Sequence, residues 1–168
     1  IQSIYSKSAI TQLIIGFYIF LIGWICLDPV LELLPKYTEG KYVFLFLGLA
    51  QVIEMGTGVN TEIISTSDKY YFNTVFNVIL AIVVFVSNYF LIGAFGIIGA
   101  GIASFSAMTI INAFRWYFIK KEFGFTPITK NLIVAVLIGL TFLGLSSFVN
   151  YNANPFVTII INIILLTS

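Results

Sequence analysis

Two carboxylates, Glu54 and Glu62, stand inside an apolar stretch that covers about residues 42–64. On a helix turning about 100° per residue, Gln51, Glu54, Gly58, Thr61, Glu62 and Ser65 fall within roughly one third of the circumference. Val52, Val59 and Ile63 take the opposite face. A charge at mid-membrane depth costs at least about 2.5–3.5 kcal/mol, so such a stripe does not face lipid. It faces either other helices, as a satisfied polar interface, or a hydrated cavity. In a cavity the carboxylate can exchange a proton or hold a cation, and intramembrane acids default to functional sites. Glu54 is the deeper of the two, and Glu62 lies within about two turns of the helix end.

Weaker polar faces follow further along the chain. Asn73 and Asn77 are four residues apart on one helical face, and Ser87 and Asn88 return to it; Thr109, Asn112 and Arg115 form another stripe. Amides and hydroxyls at such positions make interhelical hydrogen bonds of about 0.6 kcal/mol each, or they contact a polar substrate. Arg115 reads first as an interfacial cation that snorkels to water, and second as a ligand. The candidate pathway residues are therefore Gln51, Glu54, Thr61, Glu62, Asn73, Asn77, Asn112 and Arg115.

Other chemistries are excluded by what the chain lacks. It has no His and one Cys, Cys26, which removes His-based metal sites, His general bases, disulfides and Cys clusters. No acid/base or nucleophile pair is present, so neither an enzyme nor a bound cofactor or metal is expected. The Gly-rich run 93–101 is not a phosphate loop, because no strand precedes it and no Lys-Ser/Thr follows. Its Gly96, Gly99, Gly101 and Ala103 suit a tight turn followed by close helix packing.

The elements that must position these residues are set by composition. Of the 168 residues, 60% are hydrophobic and 9% charged, with a formal net charge of +1. A soluble domain carries roughly 45–50% apolar and about 25% charged residues. The chain reads as a membrane protein that binds no nucleic acid. At about 20 residues per span, it accommodates six transmembrane helices: about 9–27 (closed by Asp28 and Pro29), 42–64, 71–92, 96–119, 131–149, and a last one opening at Pro155. Lacking an initiator Met and apolar almost to Ser168, the sequence reads as a fragment of a longer protein. With alternating loops, Lys7, Lys69, Arg115, Lys120, Lys121 and Lys130 share one side, and only Lys36 and Lys41 lie on the other. That asymmetry places both ends in the cytoplasm. Tyr70, Tyr71, Phe72, Trp116 and Tyr117 would form an aromatic belt at the cytoplasmic interface.

The stretch 35–121 resembles the C-terminal half of bacterial polysaccharide-export flippases of the multidrug/oligosaccharidyl-lipid/polysaccharide superfamily. The resemblance rests on a Tyr-containing outer loop, Lys36-Tyr37-Thr38-Glu39-Gly40-Lys41-Tyr42, a long polar-tinged helix, and the short turn Ser67-Asp68-Lys69. An Asn-bearing helix and a turn opening into Gly96-Ile97-Ile98-Gly99-Ala100-Gly101-Ile102-Ala103 complete it. It implies an all-α, polytopic helix bundle, with the whole of 1–168 as a C-terminal lobe holding helices nine to fourteen of fourteen. It also implies export of a lipid-linked oligosaccharide across the bacterial inner membrane by alternating access, against a missing N-terminal lobe and with H+ or Na+ coupling. A cation-coupled multidrug antiporter of the same superfamily is the alternative. The acidic stripe departs from what a pyrophosphate-bearing substrate would need, since Arg115 is the one cation near it.

Overall fold

The computed structural model describes residues 2–146, which form six α-helices and one short 3-10 turn. The helices are α1 (Gln2–Leu33), α2 (Gly40–Gly56), α3 (Asn60–Ser65), α4 (Tyr71–Phe95), α5 (Ile97–Phe123) and α6 (Lys130–Ser146), with the 3-10 turn at Pro35–Tyr37. The all-α bundle agrees with the expectation from sequence. The sixth expected span, from Pro155, lies outside the described residues.

Two boundaries differ from the sequence reading. Asp28 and Pro29 do not close the first helix, which continues to Leu33 with Pro29 buried inside it. Asp28 pairs with Lys41 at the start of α2 at 2.5 Å, and Lys41 also lies 5.1 Å from the Trp24 ring centre. These contacts tie the last turns of α1 to α2 and offset the backbone bond that a helical Pro forfeits. The second difference is larger. The segment 42–64 is not one helix but α2 and α3, separated at Thr57-Gly58-Val59.

The break has a local cause and a tertiary one. Gly58 adopts φ +70°, a left-handed conformation that costs a side-chain-bearing residue. A Cβ there would also lie 3.1 Å from the Ala9 backbone of α1, a contact tight enough that α1 would have to give by a few tenths of an ångström. The Thr57 hydroxyl donates to the Glu54 carbonyl at 2.7 Å, satisfying one of the carbonyls freed at the end of α2.

Packing runs across the bundle in the order α6, α1, α2, α5, α4. α5, between α2 and α4, carries a buried row at every fourth position: Gly99, Ala103, Ala107, Ile111, Arg115 and Ile119. One apolar cluster joins α1, α2 and α6 around Leu13, Phe17, Phe20 and Val52. A second joins α1, α3, α4 and α5 around Tyr5, Ile64 and Ile119, flanked by Phe72, Phe76 and Phe118. The α4–α5 turn is a single residue, Gly96, at φ 60° and ψ −143°. That conformation is essentially confined to glycine.

α1, α4 and α5 are long and apolar enough to cross a membrane; α2 and α6 have 17 residues each. No residue of α4 is buried, although the helix carries Val78, Ile82, Phe85, Phe90 and Phe95. An exposed apolar surface of that extent marks a face that meets lipid or another protein. Three helices of spanning length and composition, one of them with no buried residue, fit a membrane protein.

Candidate functional site

Polar side chains from three helices meet where α2 ends. Glu54 is two residues from the C-terminus of α2, where the helix dipole is negative and a carboxylate is unfavourable. α5 supplies the compensation. Asn112 donates from Nδ2 to Glu54 Oε2 at 2.6 Å, and Arg115 donates from Nη1 to Glu54 Oε1 at 3.4 Å. The second arm of the guanidinium, Nη2, donates to Asn77 Oδ1 of α4 at 2.7 Å. Asn112 Oδ1 in turn accepts from the Thr57 hydroxyl at 3.4 Å. One network therefore links α2, the α2–α3 break, α5 and α4.

Burial within this network is uneven. The Arg115 side chain is 5% exposed and Asn112 is buried, whereas the Glu54 side chain is 30% exposed and Asn77 is exposed. The cation forms the floor, and its acidic and amide partners reach it from the open side. An arginine in apolar surroundings needs such a partner, because removing a charge from water is recovered only by close pairing and hydrogen bonding. The reading of Arg115 as a snorkelling interfacial cation is thus corrected. It points inward, at the fifth place of the buried row on α5.

Of the eight residues singled out from sequence, the fold brings together Glu54, Asn77, Asn112 and Arg115. The other four lie outside the network. Gln51 is exposed on α2. Asn73 donates to the Ser65 hydroxyl at 2.9 Å, joining α4 to the end of α3. Thr61 and Glu62 belong to α3, whose phase is uncoupled from α2 by the turn at Gly58, so the single stripe expected through both carboxylates does not form. Glu62 instead edges an apolar depression lined by Ile4, Tyr5, Val59, Ile63 and Thr66. Thr109 and Asn88 bond back to carbonyls of their own helices, at 2.7 and 2.9 Å. Among the described residues no cluster of acidic or thiol groups suited to a metal ion occurs.

Three participants escaped the sequence reading. Thr57 bridges Glu54 and Asn112, and the Tyr5 hydroxyl of α1 donates to the Asn60 side-chain oxygen at the start of α3. Tyr5 and Asn60 are 1% and 2% exposed. A Thr-Gly pair inside an apolar run was the available signal for the break, and nothing local pointed to Tyr5.

The two ends of the bundle differ in charge. Lys69 pairs with Glu122, and Gln2 exchanges hydrogen bonds with the Thr126 backbone, so the 66–70 and 124–129 connections and the start of α1 share one end. Lys7, Lys69, Lys120, Lys121 and Lys130 cluster there, against Lys36 and Lys41 at the other. The aromatic belt is only partly a belt. Tyr70, Tyr71 and Tyr117 are exposed, while Phe72 packs on Phe118 with ring centres 4.7 Å apart and Trp116 donates its indole N–H to Thr126.

No family model matches this chain, and no curated protein or solved structure is detectably similar to it.

Proposed function

We propose that this chain is one lobe of a membrane transporter, and that it moves a lipid-linked oligosaccharide from the inner to the outer leaflet of a bacterial inner membrane by alternating access. The observation that carries the reading is the interrupted helix beside a half-open polar network. Non-helical backbone at membrane depth persists only where it is buried in protein or lines a cavity. Interrupted helices with ionisable side chains at the interruption are the usual construction of transporter sites. Here Glu54, Asn77, Asn112 and Arg115 offer one carboxylate, two amides and a guanidinium to a hydrated headgroup. An acyl or polyprenyl tail would stay in lipid along the apolar α4. The resemblance of 35–121 to the polysaccharide-export flippases selects the glycan, with a second, N-terminal lobe as the other wall. The basic end would face the cytoplasm, and an H+ or Na+ gradient or the membrane potential would drive the cycle.

The pairing of Glu54 with Arg115 weighs against the cation-coupled antiporter. A coupling cation at Glu54 would have to compete with the guanidinium already paired with it at 3.4 Å, so in the glycan reading the coupling site lies elsewhere or the membrane potential drives the cycle. The two readings separate in proteoliposomes containing the full-length protein. Export of a fluorescent lipid-linked oligosaccharide, lowered by Arg115→Gln, is the expected result. Uptake of a cationic drug against a sodium or proton gradient, with no movement of the glycan, would replace this proposal by the antiporter.

A further inference from the structure

The short helix α3 packs beside the polar network, toward the basic end of the bundle. α2 packs on α1 and α5, whereas α3 packs on both α5 and α4. It therefore bridges the two helices that supply Arg115 and Asn77. Its Ile64 is fully buried against the aromatic cluster that includes Phe72, Phe76 and Phe118. α3 lies between the Glu54 network and the end of the bundle that carries Lys69 and Glu122.

Three features of this packing favour a movable α3. The first is the joint. Gly58 at φ +70° connects α3 to α2 through a turn with no helical hydrogen-bond continuity, so α3 can rotate without unwinding α2. The second is how little polar contact holds it: Tyr5 to Asn60 at one end of α3, and Asn73 to Ser65 at the other. The third is where the unsatisfied polar atoms fall. Among the described residues the buried side-chain atoms with no hydrogen-bond partner are Asn60 Nδ2, Asn73 Oδ1 and Arg115 Nε. One is on α3, and the others are on the two helices it closes against. Buried polar groups are normally paired, and water admitted by an opening would give these three atoms partners. The closed arrangement is thus penalised along the surface that opening would wet.

We propose that α3 is a gate that swings about Gly58 to admit water to the Glu54–Arg115 network from the basic end of the bundle, with Tyr5–Asn60 and Asn73–Ser65 as its two latches. The proposal deepens the transporter reading, and its test does not depend on the substrate.

The test uses the full-length protein in liposomes on a Cys26→Ser background. A reporter cysteine replaces Thr57, behind the gate, and a control cysteine replaces Ala107, which is buried on α5 away from it. A membrane-impermeant thiol reagent is the probe. Tyr5→Phe removes one latch; Ser65→Ala removes the other at an exposed position, should the first variant fold poorly. Loss of one buried hydrogen bond should raise reporter labelling by about three- to tenfold and leave the Ala107 position unchanged. In a separate protein with cysteines at Ser65 and Asn73, Tyr5→Phe should slow formation of their disulfide. Equal acceleration at both reporter positions would mean general loosening and would overturn the gate, as would no acceleration at either. If labelling follows the latches while no glycan moves, the gate stands and the substrate assignment falls.

Discussion

Arg115 on α5 and Glu54 on α2 are 61 residues apart in sequence, and their side chains meet 3.4 Å apart where α2 ends. The contact serves both partners. It places a positive charge against the negative end of the α2 dipole and against a carboxylate that the dipole disfavours. It also gives the guanidinium the anion it needs in apolar surroundings.

This pairing predicts unequal costs for the two single substitutions. Glu54→Gln leaves Arg115 nearly buried without its anion, which costs about 3 kcal/mol, the low end for a buried pair because water reaches the Glu54 side chain. Arg115→Gln leaves a carboxylate that is 30% exposed and should cost less. The double substitution should recover about 1–2 kcal/mol relative to the sum of the singles. Unfolding in detergent, followed by tryptophan fluorescence, gives the three values, and strict additivity would show that the two groups do not interact.

The α4–α5 hairpin sets a second prediction. A Cβ at Gly99 would lie 2.0 Å from the Leu91 carbonyl oxygen and 2.4 Å from its carbon, atoms that belong to backbone and cannot move aside. Gly99→Leu should therefore destabilise by more than about 3 kcal/mol. Ile97→Leu, on a side chain 58% exposed, should change stability by less than about 0.5 kcal/mol. Thermal stability of the two purified variants checks the contrast.

Two glycines to alanine should act in opposite directions. Gly58→Ala meets both the positive φ and the Ala9 backbone, and should cost at least about 1–2 kcal/mol. Gly93 lies within α4 with nothing near its added methyl, so Gly93→Ala should stabilise by about 0.5–1 kcal/mol through helix propensity alone. A melting temperature that falls for the first and rises for the second is the expected outcome; equal shifts would remove the argument for the break.

The charge asymmetry between the ends predicts topology. Cysteines introduced at Glu39 and at Lys121, both exposed and at opposite ends of the bundle, should react with an impermeant reagent from opposite sides of the membrane, with Lys121 on the cytoplasmic side. Reaction of both from one side would exclude a transmembrane arrangement of α2–α5 as described.

Much of this architecture is legible in the chain by itself. Apolar runs of spanning length, closed by turn residues, place α4 and α5 within a few residues, because helix length in a bilayer is set by local composition. Gly96 marks the hairpin, since its backbone conformation excludes other residues and so leaves a local trace. The small residues Gly99 and Ala103 are also legible as a close-packing start of α5, whereas the inward turn of Arg115, read from sequence as a snorkelling cation, came from the bundle. Tertiary structure decided the rest. A lone Gly within a helical pattern costs only about 1 kcal/mol, so local energetics could not say whether Gly58 would be tolerated or would break the helix. The approach of Ala9 from α1 accompanies the break. That break separates Glu54 from Thr61 and Glu62, which periodicity alone would have kept on one face. Which partners Arg115 takes is likewise a matter of α2, α4 and α5 meeting in space. Helical spacing assigns a residue to a face, and only the packing of distant segments determines what that face meets.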